Sequence, residues 1–317
     1  MGRKKDIERL FHSELSNRTA YGQSKHADKQ ELGFGKSTYK IYSVSTYKTY
    51  LKECTAYAKW LKEEKGINKI DDLNKTEQYA KEYLQKRLDD DKVSIYTVKM
   101  ERSALGMLYE KQIDMKLPTR TPDQITRSRE ETKNDKYISR DGKYKDVFTV
   151  CLATGGRRRD INKLTPNNFT EVDGKLYVFF GKSKGGRDRL TPVLEKYEQD
   201  VRNIIEQTKT DGRKKLFNHI PKEIDVHGLR REYCQGLYDE IKDNKELRDK
   251  ILENYPPRRE LKTQKDKDGN TVTKEIKSDV YKDRDGNVWK RDNIYVLSQA
   301  LGHNRLDVSV THYLKNN

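Results

Sequence analysis

Apolar residues recur at three- and four-residue intervals between Tyr47 and Leu61. Tyr47, Tyr50, Leu51, Cys54, Tyr57, Ala58 and Leu61 fall on one face of a 3.6-residue repeat, which predicts a helix. Gly66 stands where a left-handed C-cap belongs. Tyr79, Tyr83, Leu84 and Leu88 predict a second helix, and Ile95, Val98, Leu105 and Leu108 a third. Residues 41–116 therefore read as a small all-helical domain. Before them, residues 1–40 are polar apart from one amphipathic stretch, Asp6 to Leu15, and hold Gly22, Gly33 and Gly35. So little periodicity suggests an N-terminal arm or tail.

Two prolines, Pro118 and Pro122, punctuate a polar stretch that runs to about Asn134, so residues 117–134 are expected to be a linker. A second domain, 135–317, follows. Tyr144 to Leu152 predicts a helix leading into Thr154-Gly155-Gly156. Lys175 to Phe180 and Arg189 to Val193 are β-rich and flank Gly181-Lys182-Ser183-Lys184-Gly185-Gly186, a hairpin with a basic tip. Helices are expected around Leu194 to Thr208, Leu229 to Ile241 and Ile294 to Leu301. Between the last two, Asp268-Gly269-Asn270 and Asp285-Gly286-Asn287 are turn signals amid alternating residues. They predict one or two β-hairpins inserted at about 255–293. The fold class is mainly α with a small β-sheet.

Composition narrows the possibilities. Only 32% of the 317 residues are hydrophobic, and no apolar run approaches the ~20 residues of a membrane span. The basic N-terminus is followed by no apolar stretch of the kind a secretion signal needs. Cys54, Cys151 and Cys234 lie far apart without a CxxC pair, which fits a reducing, cytoplasmic location. Net charge is +16. Up to Glu130 there are 27 basic and 20 acidic residues, and beyond it 40 and 31, so both halves are basic. A polyanion touched along both halves is the natural partner, its phosphates supplying affinity.

Several motifs fail on spacing. Gly174 and Gly181 are too far apart for a P-loop ending in Gly181-Lys182-Ser183. The glycine of Asp266-Lys267-Asp268-Gly269-Asn270 comes two positions early for a calcium loop, and no histidine pair has HExxH spacing. What survives is a set of cations with one tyrosine. Arg157 follows Thr154-Gly155-Gly156 at an expected helix start. His227 and Arg230 lie three apart, on one face of a helix. His303 ends a helix, Tyr313 follows ten residues later, and Lys184 sits at the hairpin tip. Arginines fork two hydrogen bonds onto phosphate oxygens, and tyrosine is both nucleophile and leaving group, so the set suits reversible phosphoryl transfer.

Ala153-Thr154-Gly155-Gly156-Arg157-Arg158-Arg159-Asp160-Ile161-Asn162-Lys163-Leu164 resembles the first arginine box of the tyrosine recombinases, the phage and conjugative-transposon integrase family. His227-Gly228-Leu229-Arg230 is similar to that family's HxLR box, and Leu301-Gly302-His303 followed by Tyr313 to its nucleophile segment. The boxes match in order across about 180 residues. The helical block upstream is similar in position and type to the family's core-binding domain.

The resemblance implies a helical core-binding domain and a mixed α/β catalytic domain that clamp double-stranded DNA. Arg157 and Arg230 would hold the scissile phosphate, and Lys184 would protonate the departing 5′ oxygen, with Lys182 as the alternative. His227 would serve as acid/base or phosphate ligand, His303 would hydrogen-bond a phosphate oxygen, and Tyr313 would attack. Asp160 would brace the site. No metal, nucleotide or other cofactor is implied. The implied partners are recombination sites on DNA, further copies of the chain in a synaptic homotetramer, and DNA-bending accessory or directionality proteins. A bacterial or phage protein at the nucleoid is expected, integrating and excising a mobile element. A dimer-resolving recombinase, a type IB topoisomerase and a non-catalytic DNA-binding accessory protein are the alternatives.

Two departures stand out. Arg230 and His303 are 73 positions apart, an excess that the hairpin insertion accounts for. Its Arg258, Arg259, Lys262, Lys265, Lys267, Lys274 and Lys277 could lie along DNA or reach a neighbouring protomer. Four residues follow Tyr313, too few for a docking helix, so either the insertion or the N-terminal segment is expected to make that contact or the tail has been trimmed.

Overall fold

The computed structural model describes residues 5–33, 36–90, 92–119, 138–181, 188–253, 261–265, 271–275, 278–283, 286–303 and 305–314, with 261–265 and 271–275 as backbone only. The chain divides into two compact units, Met1–Thr126 and Arg127–Asn317. The fold is mainly α with small antiparallel sheets. No described helix is long and apolar enough to cross a membrane.

In the first unit a short strand β1 (Lys5–Asp6) precedes helices α1 (Ile7–Asn17), α2 (Lys25–Leu32) and α3 (Val44–Lys65). Strand β2 (Lys69–Ile70) pairs with β1, and the short helix α4 (Asn74–Glu77), α5 (Ala80–Leu88) and α6 (Ile95–Leu108) complete the unit. The helix α3 begins under a Ser43 side-chain cap and ends at Gly66, whose φ of 64° is the left-handed cap expected from the sequence. Its apolar face, with Cys54, Tyr57, Ala58 and Leu61, is fully buried.

Within the first forty residues, α1 and the chain up to Ala20 differ from an arm or tail, whereas α2 buries none of its residues. Ile7, Leu10, Phe11 and Leu15 of α1 lie in the same core as α3 and α6. Main-chain bonds from Ile7 to Asn68, from Ala20 to Ile41 and from Ile41 to Arg18 tie the segment down. A single amphipathic turn pattern cannot reveal a partner helix some forty residues away, and that partner is what holds it. The expected linker falls largely on residues 120–137, outside the described residues.

The second unit opens with α7 (Lys145–Thr154) and the single turn α8 (Arg158–Ile161). A three-stranded antiparallel sheet follows in the order β3 (Phe169–Val172), β4 (Lys175–Phe180), β5 (Arg189–Pro192). Helices α9 (Glu198–Thr210), α10 (Val226–Ile241) and α11 (Lys245–Glu253) come next. The insertion contains two hairpins, β6 (Leu261–Lys265) with β7 (Thr271–Glu275), and β8 (Val280–Lys282) with β9 (Val288–Lys290). Helices α12 (Arg291–Ala300) and α13 (Leu306–Tyr313) close the unit.

The second hairpin belongs to the core on one face only. Trp289 is buried against the Tyr238 ring of α10, 5.6 Å between centroids, and its indole N–H donates to Asp283. On the other face Val280, Lys282, Val288 and Lys290 are all exposed. Gly155 ends α7 at φ 57°, and a Cβ there would come within 2.2 Å of the Tyr233 ring of α10. Glycine is therefore required twice, for the backbone turn and for the close approach of α10. Burial pushes the thiols of Cys151 and Cys234 up to about 12. All three cysteines are free and buried.

Candidate active site

The second unit gathers five residues of the sequence-derived set around one turn. Arg157 is the N-cap of α8, directly after the glycine turn that ends α7. Asp160, three residues on, accepts from the Arg157 backbone N–H at 3.3 Å, and its carboxylate lies 3.9 Å from the Arg157 guanidinium. Arg230 projects from α10, whose first turn is capped by the Asp225 side chain accepting from Gly228 N–H at 3.1 Å. His303 follows the left-handed Gly302 at the end of α12, and Tyr313 closes α13.

Arg230 is 1% exposed and is held by main-chain carbonyls. It donates to Gly155 O and Leu301 O, and Arg157 Nη2 donates to the same Leu301 oxygen at 3.3 Å. Two guanidiniums 73 positions apart in the sequence therefore meet at one carbonyl. Arg230 also lies over the Tyr313 ring, 5.5 Å from its centroid. The Tyr313 ring sits between two imidazoles, 5.1 Å from His303 and 6.4 Å from His227. His227 is exposed in the first turn of α10, while Tyr313 is only 8% exposed.

Burial drives the electrostatics. It lowers the Arg157 pKa, with Arg230 repelling further protonation. The His303 pKa falls to about 3, first through burial and then through Arg230, Arg157 and Arg189. His303 is therefore a neutral ring at ordinary pH. Arg230 Nη2 lies 3.4 Å from His303 Nε2, and an arginine can only donate. With Nε2 as the acceptor of that contact the ring proton sits on Nδ1, a buried atom with no hydrogen-bond partner among the described residues.

Lys184 and Lys182 lie outside the described residues. Arg158 turns away from the cluster and donates to the carbonyls of Pro221 and Ile220 at 2.6 and 3.2 Å. The site also holds a residue that sequence reasoning missed. Arg189 of β5 is buried, and its Nη2 lies 3.0 Å from Asp160 Oδ2. Burial and then Arg230 lower its pKa to about 10, against the pull of Asp160, so it keeps its charge at neutral pH. One signal was available: a charge at a strand position paired with the apolar Phe180 has to find a buried partner.

No family model matches the chain, and no curated protein matches it. Solved structures do. A post-cleavage complex of the XerH site-specific recombinase with palindromic difH substrate is 14% identical, with a TM-score of 0.50 over 98% of this chain and 91% of that one. Its pre-cleavage counterpart with difH gives 14% identity and a TM-score of 0.49 at the same coverage. The Tn1549 transposon integrase with circular intermediate DNA gives 14% and 0.39 over 98% of this chain and 96% of that one. With the first match spanning nearly both chains, the fold of this protein is that of the XerH site-specific recombinase.

Proposed function

We propose that the chain is a site-specific tyrosine recombinase that cuts and rejoins duplex DNA, integrating and excising a mobile element. The observation that carries this reading is the meeting of Arg157 and Arg230 at the Leu301 carbonyl, beside His303 and Tyr313. Two clustered guanidiniums fit the non-bridging oxygens of a phosphodiester and the negative charge that builds on them in the transition state. A neutral His303 beside Arg230 is a further ligand for such an oxygen in this reading.

In this mechanism the Tyr313 hydroxyl oxygen attacks phosphorus and the bond to the 5′ oxygen breaks. Lys184 gives a proton to the leaving 5′ oxygen, and His227, near the Tyr313 ring, relays the phenolic proton. The product is a 3′-phosphotyrosyl link with a free 5′-hydroxyl. One phosphate ester replaces another, so attack by a 5′-hydroxyl from a second duplex reverses the step without external energy. Two synapsed sites and four protomers complete the exchange in this reading, with accessory DNA-bending proteins setting direction. The insertion's basic residues lie along DNA or on a neighbouring protomer. Replacing 258–277 by a short Gly-Ser link tests that role while sparing Trp289, and unchanged DNA affinity and assembly sink it.

The deciding experiment is covalent trapping. The protein is incubated in EDTA with nicked duplexes built from the ends of its own element. A detergent-resistant adduct that disappears in Tyr313→Phe is expected. Tight binding without any adduct would favour a DNA-binding protein, and loss of cleavage in EDTA would overturn the metal-free route.

A further inference from the structure

Arg189 has no part in the reaction proposed above, yet the site is built around it. It stands on β5 opposite Phe180 of β4, and its Cζ lies 4.3 Å from the Phe180 ring centroid. Its Nη2 is 3.0 Å from Asp160 Oδ2, the oxygen that also accepts from the Arg157 backbone N–H at 3.3 Å. On its other side the chain passes so close that a Cβ on Gly302 would lie 3.2 Å from Arg189 Cδ and 3.3 Å from Nη1. Gly302 joins Leu301, whose carbonyl takes Arg157 and Arg230, to His303. One guanidinium thus touches the α8 turn, the sheet and the turn after α12.

We infer that Arg189 is a positioning residue of the strand-transfer site: held by Asp160 and Phe180 and packed on Gly302, it fixes the Arg157 turn relative to the Leu301–Gly302–His303 turn. The physical argument runs through Asp160. Asp160 is 9% exposed, and a buried carboxylate needs a close cation. Arg189 meets that need at 3.0 Å, while the Arg157 guanidinium stands further off at 3.9 Å. Without Arg189, Asp160 still has the Arg157 guanidinium 3.9 Å away. The carboxylate then draws that guanidinium off the phosphate position, and displacements of about 1 Å at a reacting centre cost on the order of 100-fold in rate.

The inference rests on the recombinase reading for its activity arm, measured as single-turnover adduct formation against duplex concentration. Arg189→Met is expected to lower the maximal rate about 100-fold, and Arg189→Lys about tenfold, with the half-saturating duplex concentration within about threefold of wild type. Adding Asp160→Asn to Arg189→Met should recover about tenfold, because a neutral amide no longer captures Arg157. A wild-type rate in either single variant overturns the inference. So does a half-saturating concentration that rises in step with the loss, or a second substitution that deepens it. Where Arg189→Met does not fold, as judged by its melting curve, Arg189→Lys decides by the same criteria. Where the wild type forms no adduct on any duplex, the recombinase reading fails. The positioning role is then read from backbone amide resonances: in Arg189→Lys those of Arg157, Gly302 and His303 shift together while that of Gly66 stays. Unmoved resonances overturn it.

Discussion

The two units bury polar groups on opposite terms. In the first, the groups are neutral or balanced. Tyr57 Oη donates to Thr76 O at 2.6 Å, Thr76 Oγ1 and Tyr109 Oη share a hydrogen bond of 2.9 Å, and Arg87 meets the buried Glu101 at 2.9 Å. Burial drives the Tyr57 and Tyr109 phenols upward, so they stay protonated donors. In the second unit, Arg157, Arg189 and Arg230 crowd together, and Asp160 is the carboxylate shared by the first two. Arg230 has carbonyl partners and no carboxylate partner among the described residues. The buried charges of the first unit are paired with one another, whereas the second carries a cluster of three arginines around one carboxylate. Uncompensated buried charge opposes folding, so this arrangement favours binding over stability.

The contrast is broken most directly at Arg230. Arg230→Met should reduce adduct formation by at least about 1,000-fold, roughly 4 kcal/mol of transition-state stabilisation. Its melting temperature should hold or rise, since a buried charge is replaced by an apolar side chain of similar length. A parallel loss of activity and melting temperature would mean that the charge supports the fold, contrary to the comparison.

Two left-handed helix caps, one in each unit, sharpen it next. At Gly155 a Cβ meets the Tyr233 ring at 2.2 Å, whereas at Gly66 nothing lies within 4 Å. Gly155→Ala should cost about 3 kcal/mol or more and Gly66→Ala about 1 kcal/mol, both measured by denaturant unfolding. Equal costs would show that α10 can retreat from α7.

Acid stability probes the second unit through one buried ring. The His303 pKa is lowered from 6.5 to about 3, so between these values the unfolded chain binds a proton that the folded chain refuses. The contribution is fully present above pH 6.5 and is lost progressively as the pH falls towards 3. His303→Gln should flatten that acid limb relative to wild type, by about 1–3 kcal/mol at its foot. An unchanged slope would show that the ring protonates in the folded state. The smallest effect belongs to the first unit: Tyr57→Phe should cost about 1–2 kcal/mol and leave the maximal adduct rate unchanged.

How far the sequence carried the structure depends on whether the cause was local. The α3 face from Cys54 to Leu61 and the Gly66 cap were legible because periodicity and φ preference act within a few residues. The β4–β5 hairpin and both inserted hairpins were legible for the same reason. The helix α11 was not, since among its nine residues only Leu247, Ile251 and Leu252 are apolar. The strand β3 escaped as well, four residues of mixed polarity that pair only because β4 lies beside them. Within the site, the residues around Arg157, Arg230, His303 and Tyr313 carried recognisable neighbours along the chain. Arg189 carried none. Its burial exists only once Asp160, Phe180 and Gly302, from three separate segments, have come together.

The carbonyl of Leu301, shared by Arg157 and Arg230, has a consequence for how such a site can change over generations. Every residue type offers a main-chain oxygen, so no codon change at position 301 deletes that acceptor. Heritable constraint falls instead on the shape of the bend, which the left-handed Gly302 maintains at φ 62°. The letters around the bend can drift while the anchor for two arginines persists.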